Sequence, residues 1–559
     1  MRDAIKRLDA TALAAAALAL AVRILFLSGF AATPLFLHVE GGHDRSIYHQ
    51  AAQLVAAGQV WPDGSFAFLP LYPWVLGLLY FIAGPSLLAA AGLGLLCDTV
   101  TTFLLVRLAR RLGASAPWAG LGGLLYACYP RAVVYATLTM PTALNILLVT
   151  ALALGLAPTG PRSTRRWAAL GLLAGLAGLG YPAVWPALLI IMVVTLIGRG
   201  GAGPARRQAL VLLAAALLPV LPVVIHNTRA EGRLTLLTTH GGVNVYMGNH
   251  EQATGYPLRI RDFRLTATAM LEDAHRAAEA EVGHALTRAE SSAWWSGQAR
   301  AYMRAQPAAY LRLLARKARL FWSGTEVDDL RMVEQVRLMS HQLVGPGWTC
   351  FALFSAAGLF GLLRAGPAPA VRLLTWTMVA GVVSLFITTR YRLPLIPLLA
   401  AFGAAGLTVL AHDLRQRQRL AGHGLALLAA LGLAAWPGGV RDLRSTDHYN
   451  ASVQWLAAGR ITEALAEARS GLALAPNSAE LHHAEGSALF RLDQHHEAAQ
   501  AFARALAQRP TYATARYNLA LSLARDGQPC AALSVLKEDP APEPRMVTLA
   551  ETLRQLCPP

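Results

Sequence analysis

HVEGGHDRSIYHQAAQLVAAGQ, residues 38–59, is a polar stretch set between two apolar runs, at about 12–30 and 66–84. It gathers three histidines, Glu40, Asp44, Arg45 and Tyr48 in a chain of 559 residues that is 55% hydrophobic and only 14% charged. A mean hydropathy of +0.41 lies far outside the soluble globular range. Working outward, apolar runs recur at about 86–106, 117–135, 138–157, 167–198, 208–226, 348–364, 371–388, 391–411 and 421–437. Each approaches or exceeds the roughly 18 to 20 residues that cross a bilayer. The pattern predicts an all-α, polytopic membrane protein with about eleven spans. The first run follows MRDAIKR and has small residues at Ala31 and Ala32, which is one way to read a signal peptide. Its length exceeds a typical signal core, so the reading adopted is a retained helix with its basic end in the cytoplasm.

The net charge of +17 does not point to nucleic acid. The arginines sit mostly in short segments beside apolar runs, where positive-inside topology and lipid headgroups account for them. Five cysteines show no C-x-x-C spacing. Cys97, Cys128 and Cys350 fall in apolar runs as small core residues; Cys530 and Cys557 can pair if the tail lies in an oxidising compartment.

The runs divide the chain into a membrane module at 1–226 with a first loop at 31–65, a soluble insertion with amphipathic helices at 227–347, further membrane helices at 348–437, and a soluble tail at 438–559. In the tail Pro476 and Pro510 stand 34 residues apart, the tetratricopeptide (TPR) period. The unit AELHHAEGSALFRLDQHHEAAQAFARALAQRP places Gly486, Ala498, Phe502, Ala505 and Pro510 where two helices must pack closely. Neighbouring units match at Trp455, Ala464 and Pro476 and at Leu519, Ala520, Leu523 and Ala532, giving about three repeats, near the minimum for a stacked array. RQRQR (415–419) and RAGPAPAVR (364–372) take the cytoplasmic side by charge. The insertion, RYR (390–392) and the tail then lie outside. The first half leaves two topologies open, depending on whether 167–198 crosses once or is broken at GYP (180–182).

Carboxylates are scarce. Between Asp63 and Glu231 the only acid is Asp98, and between Glu334 and Asp413 there is none. A carboxylate in hydrocarbon costs about 2.5 to 3.5 kcal/mol, so Asp98 is either part of a site or the partner of a hydroxyl or an arginine such as Arg107. Asp44 lies beyond the first span, at the start of a helix that is apolar at Ile47, Ala51, Leu54 and Val55, the spacing of a helix along an interface. Tyr48 and His49 follow one turn on and are candidate substrate contacts. Asp44 itself reads as an N-cap or as a reactive carboxylate. His38, His43 and His49 with Glu40 offer metal-ligand atoms, although their spacing matches no standard zinc pattern.

ITTRYRLPLIPLLA (387–400) sets Arg390 and Arg392 at the mouth of an apolar run with no carboxylate nearby in sequence. Their charge is then available for an anion from outside, phosphate above all, because guanidinium donors match its oxygens. The alternative is snorkelling to headgroups.

Three stretches together resemble a known family: HDRSIYHQAAQLVAAGQ with FAFLPLYPWVLGLLYFIAG, NTRAEGRLTLLTTHGGVNVYMGNHEQATGY, and TTRYRLPLIP. They are similar to bacterial relatives of the dolichyl-phosphate-mannose protein mannosyltransferases and aminoarabinose lipid A transferases, glycosyltransferases of the GT-C fold. The resemblance covers roughly 1–411, and the TPR tail matches proteins of the same layout. It implies a polyprenyl-phosphate-linked sugar as donor and transfer to a hydroxyl, with inversion, on the outer side of the plasma (inner) membrane. By resemblance Asp44 is the catalytic base, and Arg390, Tyr391 and Arg392 take the donor phosphate. Asn227, His240, Asn244 and Asn249 fall in the loop that approaches the site. A divalent metal held with help from His43 or His240 is the one cofactor this leaves open. Membrane lipids and a protein partner or acceptor on the tail are the implied partners.

The departures are specific. His43 and Asp44 stand where the family often has two adjacent acids. YPRAVVYATLTMPTALN has Met140 and Pro141 and no acid where many members carry a glutamate, and Tyr181 replaces an arginine before a proline. These gaps leave open a catalytically silent scaffold whose tail recruits partners. A transporter would show membrane repeats and buried mid-span charges, of which Asp98 alone is a candidate.

Overall fold

The computed structural model describes residues 9–37, 43–157, 163–197, 203–257, 260, 263, 266–340, 350–439, 443–537 and 544–557. His38 and Glu40, two of the suggested metal ligands, lie outside them. Every regular element among the described residues is helical.

The chain's first apolar run forms the helix Ala10–Phe30, capped where the Asp9 side chain accepts from Thr11 N. It packs on Leu87–Arg111 and Ala116–Ala127, as an integral wall of the bundle. A fully buried ion pair joins it there: Arg23 binds Asp98, which also accepts from the Tyr126 hydroxyl. Arg23 further donates to the carbonyls of Ala19 (3.1 Å) and Ala127 (2.8 Å). Of the two readings of Asp98, the structure shows the partner. That partner is Arg23 rather than Arg107, whose guanidinium lies over the Phe103 ring.

The apolar runs become helices, yet many are shorter than a span. Among the described residues three helices are long and apolar enough to cross a membrane, Ala10–Phe30, Leu87–Arg111 and Thr389–Gln416, or up to five if each bent pair counts once. Five shorter apolar helices of 10–17 residues accompany them. Two of the breaks between helices have a local cause in proline. Pro130–Thr137 and Thr142–Leu156 meet at 117° around Met140 and Pro141, where proline cannot continue a helix without losing a hydrogen bond. The run 167–198 is likewise divided at Tyr181 and Pro182, with helices Thr164–Gly180 and Val184–Ile197 on either side.

Two packing contacts position the site. Helix Asp44–Ala56 lies against Leu71–Ala83, where a Cβ on Gly77 would fall 2.4 Å from Val55 Cγ1. Phe351–Arg364 lies against Ile396–Gln416 with no room for a side chain at Gly361, whose Cβ would meet Phe402 O at 1.9 Å. The second pair fixes the helix that starts at RYR. There Thr389–Arg392 leads through a 3-10 turn, Leu393–Leu395, into Ile396–Gln416. Pro394 and Pro397 bring no N–H to that first turn.

The insertion contributes Ala267–Val282, Arg288–Ala305 and Pro307–Trp322. The second begins with a capping box between Thr287 and Glu290. Trp295 is buried among Val243, Met247, Ala274 and Phe386.

A second compact unit comprises residues 32–38, 331–342 and 441–559. Its helices run as successive pairs, Arg444–Ala457 with Ile461–Leu474, Ala479–Arg491 with His495–Gln508, and Ala513–Arg525 with Pro529–Lys537, followed by Pro544–Arg554. Gly486 lets the Phe502 ring approach: a Cβ there would lie 2.8 Å from the ring edge. Arg331 pairs with Asp447, its Nε 2.7 Å from Oδ1, and Cys530 is disulfide-bonded to Cys557.

Candidate functional site

The helix Asp44–Ala56 begins one residue earlier than its apolar pattern suggests, and this settles the bland reading of Asp44. His43, exposed, occupies the N-cap position without a side-chain cap bond, and Asp44 is the first helical residue. Its carboxylate is therefore not a cap. It gains from the helix dipole and points to Arg390, with Arg390 Nη1 2.6 Å from Asp44 Oδ2. The helix buries Arg45, Ser46, Tyr48 and Ala52 and leaves Leu54 half exposed. The face with Arg45, Ser46, Tyr48 and Ala52 thus turns inward, while Gln50 and Gln53 stay exposed with Leu54.

Arg390 holds a second carboxylate. Its Nη2 lies 2.8 Å from Asp329 Oδ2. RYR is acid-free in sequence only; in space its first arginine bridges two acids. Asp329 belongs to TEVDD (325–329), where each acid meets a group from elsewhere. Glu326 accepts from the Tyr129 hydroxyl and lies 3.6 Å from Arg131 Nε, and Asp328 accepts from the Tyr135 hydroxyl at 2.7 Å. Those three partners are the tyrosines and arginine of YPRAVVY. The element that lacks its own acid therefore faces acids brought from another. The doublet Asp328–Asp329, ahead of a long acid-poor segment, was the signal available in sequence.

The two arginines of RYR do different work. Arg390 and Asp44 keep 21% and 17% of their side-chain surface exposed, so an incoming group can reach both. Arg392 is 1% exposed, stands 3.8 Å over the Phe351 ring, and donates to the carbonyls of Phe321, Ser323 and Thr325. Tyr391 stacks on Phe386 at 5.4 Å, and its carbonyl accepts from the Tyr181 hydroxyl at 2.9 Å.

Around the pair, Tyr48 is buried edge-on to Phe68 and Tyr72, and burial together with the nearby Asp44 charge pushes its phenol well up. His240 binds the Ala67 carbonyl through Nδ1; since a carbonyl only accepts, Nδ1 carries the proton and Nε2 is the acceptor nitrogen. Burial holds its imidazole below the usual range, though it feels both Asp44 and Arg390. With Phe68, tilted against it at 5.2 Å, His240 lines a cavity of about 190 Å³ that also takes in Thr239, Glu272, His275 and Arg288.

The remaining candidates serve other ends. His49 turns to Tyr80, Nδ1 to hydroxyl 2.8 Å. Asn227 is fully buried and clamps the first loop, accepting from Phe66 N at 2.9 Å and donating to the Leu236 and Leu237 carbonyls. Asn249, also fully buried, donates to Val245 O and Ser384 O and accepts from Lys317 Nζ at 2.8 Å. Asn244 is half buried on Gly241–Gly248. No group of three His, Cys, Asp or Glu side chains is placed to hold a metal ion among the described residues. His43 and His240 do not form one, and the cation between Asp44 and Asp329 is a guanidinium.

No family model matches the chain, and no curated protein matches it. Among solved structures it is similar to ArnT from Cupriavidus metallidurans bound to undecaprenyl phosphate, with 14% identity, 92% of this chain and 78% of that chain covered, and a TM-score of 0.39. Against the same protein in its apo state the values are 15%, 92%, 79% and 0.35. Likenesses at this level carry no argument about this chain, and the functional reading rests on its own residues.

Proposed function

We propose that this multi-pass membrane protein is a GT-C-type glycosyltransferase that moves a sugar from a polyprenyl-phosphate donor to a hydroxyl acceptor on the extracytoplasmic face, with inversion. The observation that carries the reading is the partly exposed pair of Asp44 and Arg390 at a helix N-terminus beside the membrane module. Asp44 takes the acceptor proton as the hydroxyl oxygen attacks the anomeric carbon. The bond from that carbon to the phosphate oxygen breaks, and Arg390 meets the charge left on the lipid phosphate. The ion pair also orders the steps. A phosphate that competes for the guanidinium frees the Asp44 carboxylate to meet the acceptor hydroxyl. The base is armed by the donor.

The acceptor enters, on this reading, through the cavity beside His240. Its Phe68 ring, carboxylate, arginine and hydroxyls suit a hydroxyl-rich molecule. Arg392 is assigned a structural part, and Arg390 alone the donor phosphate. The tail reads as a TPR module for a protein partner or acceptor. Its disulfide supports an oxidising, extracytoplasmic side.

A silent scaffold is favoured by one fact, that Arg390 is already satisfied by two acids. Transfer of a radiolabelled sugar from a polyprenyl-phosphate donor to a cell-envelope extract, by the purified protein and by Asp44→Asn, decides between them. Transfer lost in the variant supports the enzyme, and no transfer by the wild type supports the scaffold.

A further inference from the structure

Asp329 sits deeper than Asp44, with 10% of its side chain exposed. One oxygen, Oδ2, is on Arg390; the other, Oδ1, is buried with no hydrogen-bond partner among the described residues. A carboxylate oxygen in that position is costly while charged. It also faces the guanidinium to which the donor phosphate is assigned.

Charge counting then sets a constraint. Asp44, Asp329 and Arg390 together carry one net negative charge, and a phosphodiester at Arg390 adds a second. The other groups around Asp329 do not offset it. Burial disfavours a cationic His240, the tyrosines nearby bring no positive charge, and Asp328 is a further acid. Asp44 is needed as the base and must stay ionised. One way to admit the anion is to neutralise the deeper acid. A proton on Oδ1 removes the charge and the cost of holding an unpartnered anionic oxygen in that position.

We infer that Asp329 is a positioning residue that holds Arg390 and takes up a proton from solvent when the donor phosphate binds, so that donor binding is proton-coupled. This rests on the donor reading above. Burial, with Asp328 and Asp44 adding to it and Arg390 opposing, already pushes the Asp329 carboxyl up to about 6 in the free protein. An anion beside it raises the carboxyl further. Between the free and bound values, affinity for the anion falls about tenfold per pH unit. The sign is definite: binding is tighter in acid.

The test uses the full chain in lipid nanodiscs and a polyprenyl methyl phosphodiester, a probe whose own charge is constant from about pH 5 to about pH 8. Calorimetry in two buffers of different ionisation heat reads both Kd and protons taken up. The expected result is a Kd roughly tenfold weaker at pH 7.5 than at pH 6, with uptake approaching one proton per probe. Asp329→Asn is expected to give a level profile near the wild-type acid-side affinity, and Asp329→Glu to restore the slope. A level wild-type profile without proton uptake overturns the inference, as does Asp329→Asn with the wild-type slope. If neither variant folds, the wild-type proton count still decides. No binding at any pH overturns the donor reading as well, which separates the two failures.

Discussion

Arg390 Nη1 lies 2.6 Å from Asp44 Oδ2 across 346 residues of sequence. The contact joins the helix Asp44–Ala56 to the short helix Thr389–Arg392 late in the chain, so neither residue has its partner without the bundle between them. Because Arg390 also holds Asp329, the site has a fixed cation and two acids of unequal depth.

The arginines of RYR are predicted to fail in different ways. Arg390→Lys keeps a charge but not the fork that bridges two carboxylates, and it should weaken the donor by about 10- to 100-fold, the loss of one charged hydrogen bond. Thermal stability should change little. Arg392→Gln should leave donor KM in the surviving protein near wild type and lower stability by about 3 kcal/mol, because the buried carbonyls it serves lose their donor. Steady-state kinetics beside thermal unfolding in detergent checks both.

The buried pair of Arg23 and Asp98 predicts a stability phenotype without a site phenotype. Arg23→Met strands a carboxylate in the bundle and should cost about 3 to 5 kcal/mol. Adding Asp98→Leu should recover most of it, since an apolar pair of similar volume avoids the desolvation penalty. Expression and unfolding of the single and double variants give the comparison.

How much was legible follows from which interactions are local. The apolar runs, the 34-residue proline spacing and the helix behind Asp44 are short-range patterns, and the structure places helices there. The partner of Asp98 was not legible, since Arg23 lies 75 residues away in another helix. Nor was Asp329. Its acids were visible as TEVDD, but only the fold brings them to Arg390 and to the tyrosines of YPRAVVY. The contacts of Asn227 and Asn249 were not legible either: the fold sets both against backbone groups, and Asn249 also against Lys317. The bend at Met140 and Pro141 was not visible in hydropathy, whereas the break at Tyr181 and Pro182 was one of the two options that GYP left open.

The tail offers a compartment test. Cys530 and Cys557 close a loop at a sequence separation of 27, for which a chain-entropy estimate gives about 3 to 4 kcal/mol. In membranes prepared without reductant, a maleimide-polymer gel shift at these two cysteines should appear only after reduction and unfolding. Cys530→Ser should lower the melting point of the second unit. Free thiols in the native membrane would place the tail on the reducing side.

The central claim is that Asp44 is the base, and transfer by Asp44→Asn tests it most directly. With a polyprenyl-phosphate sugar donor and an envelope acceptor, the variant is predicted to lose about 100-fold or more in kcat. Its donor affinity should be equal or tighter, since Arg390 no longer holds a competing carboxylate there. Unchanged transfer by correctly inserted Asp44→Asn would contradict the account.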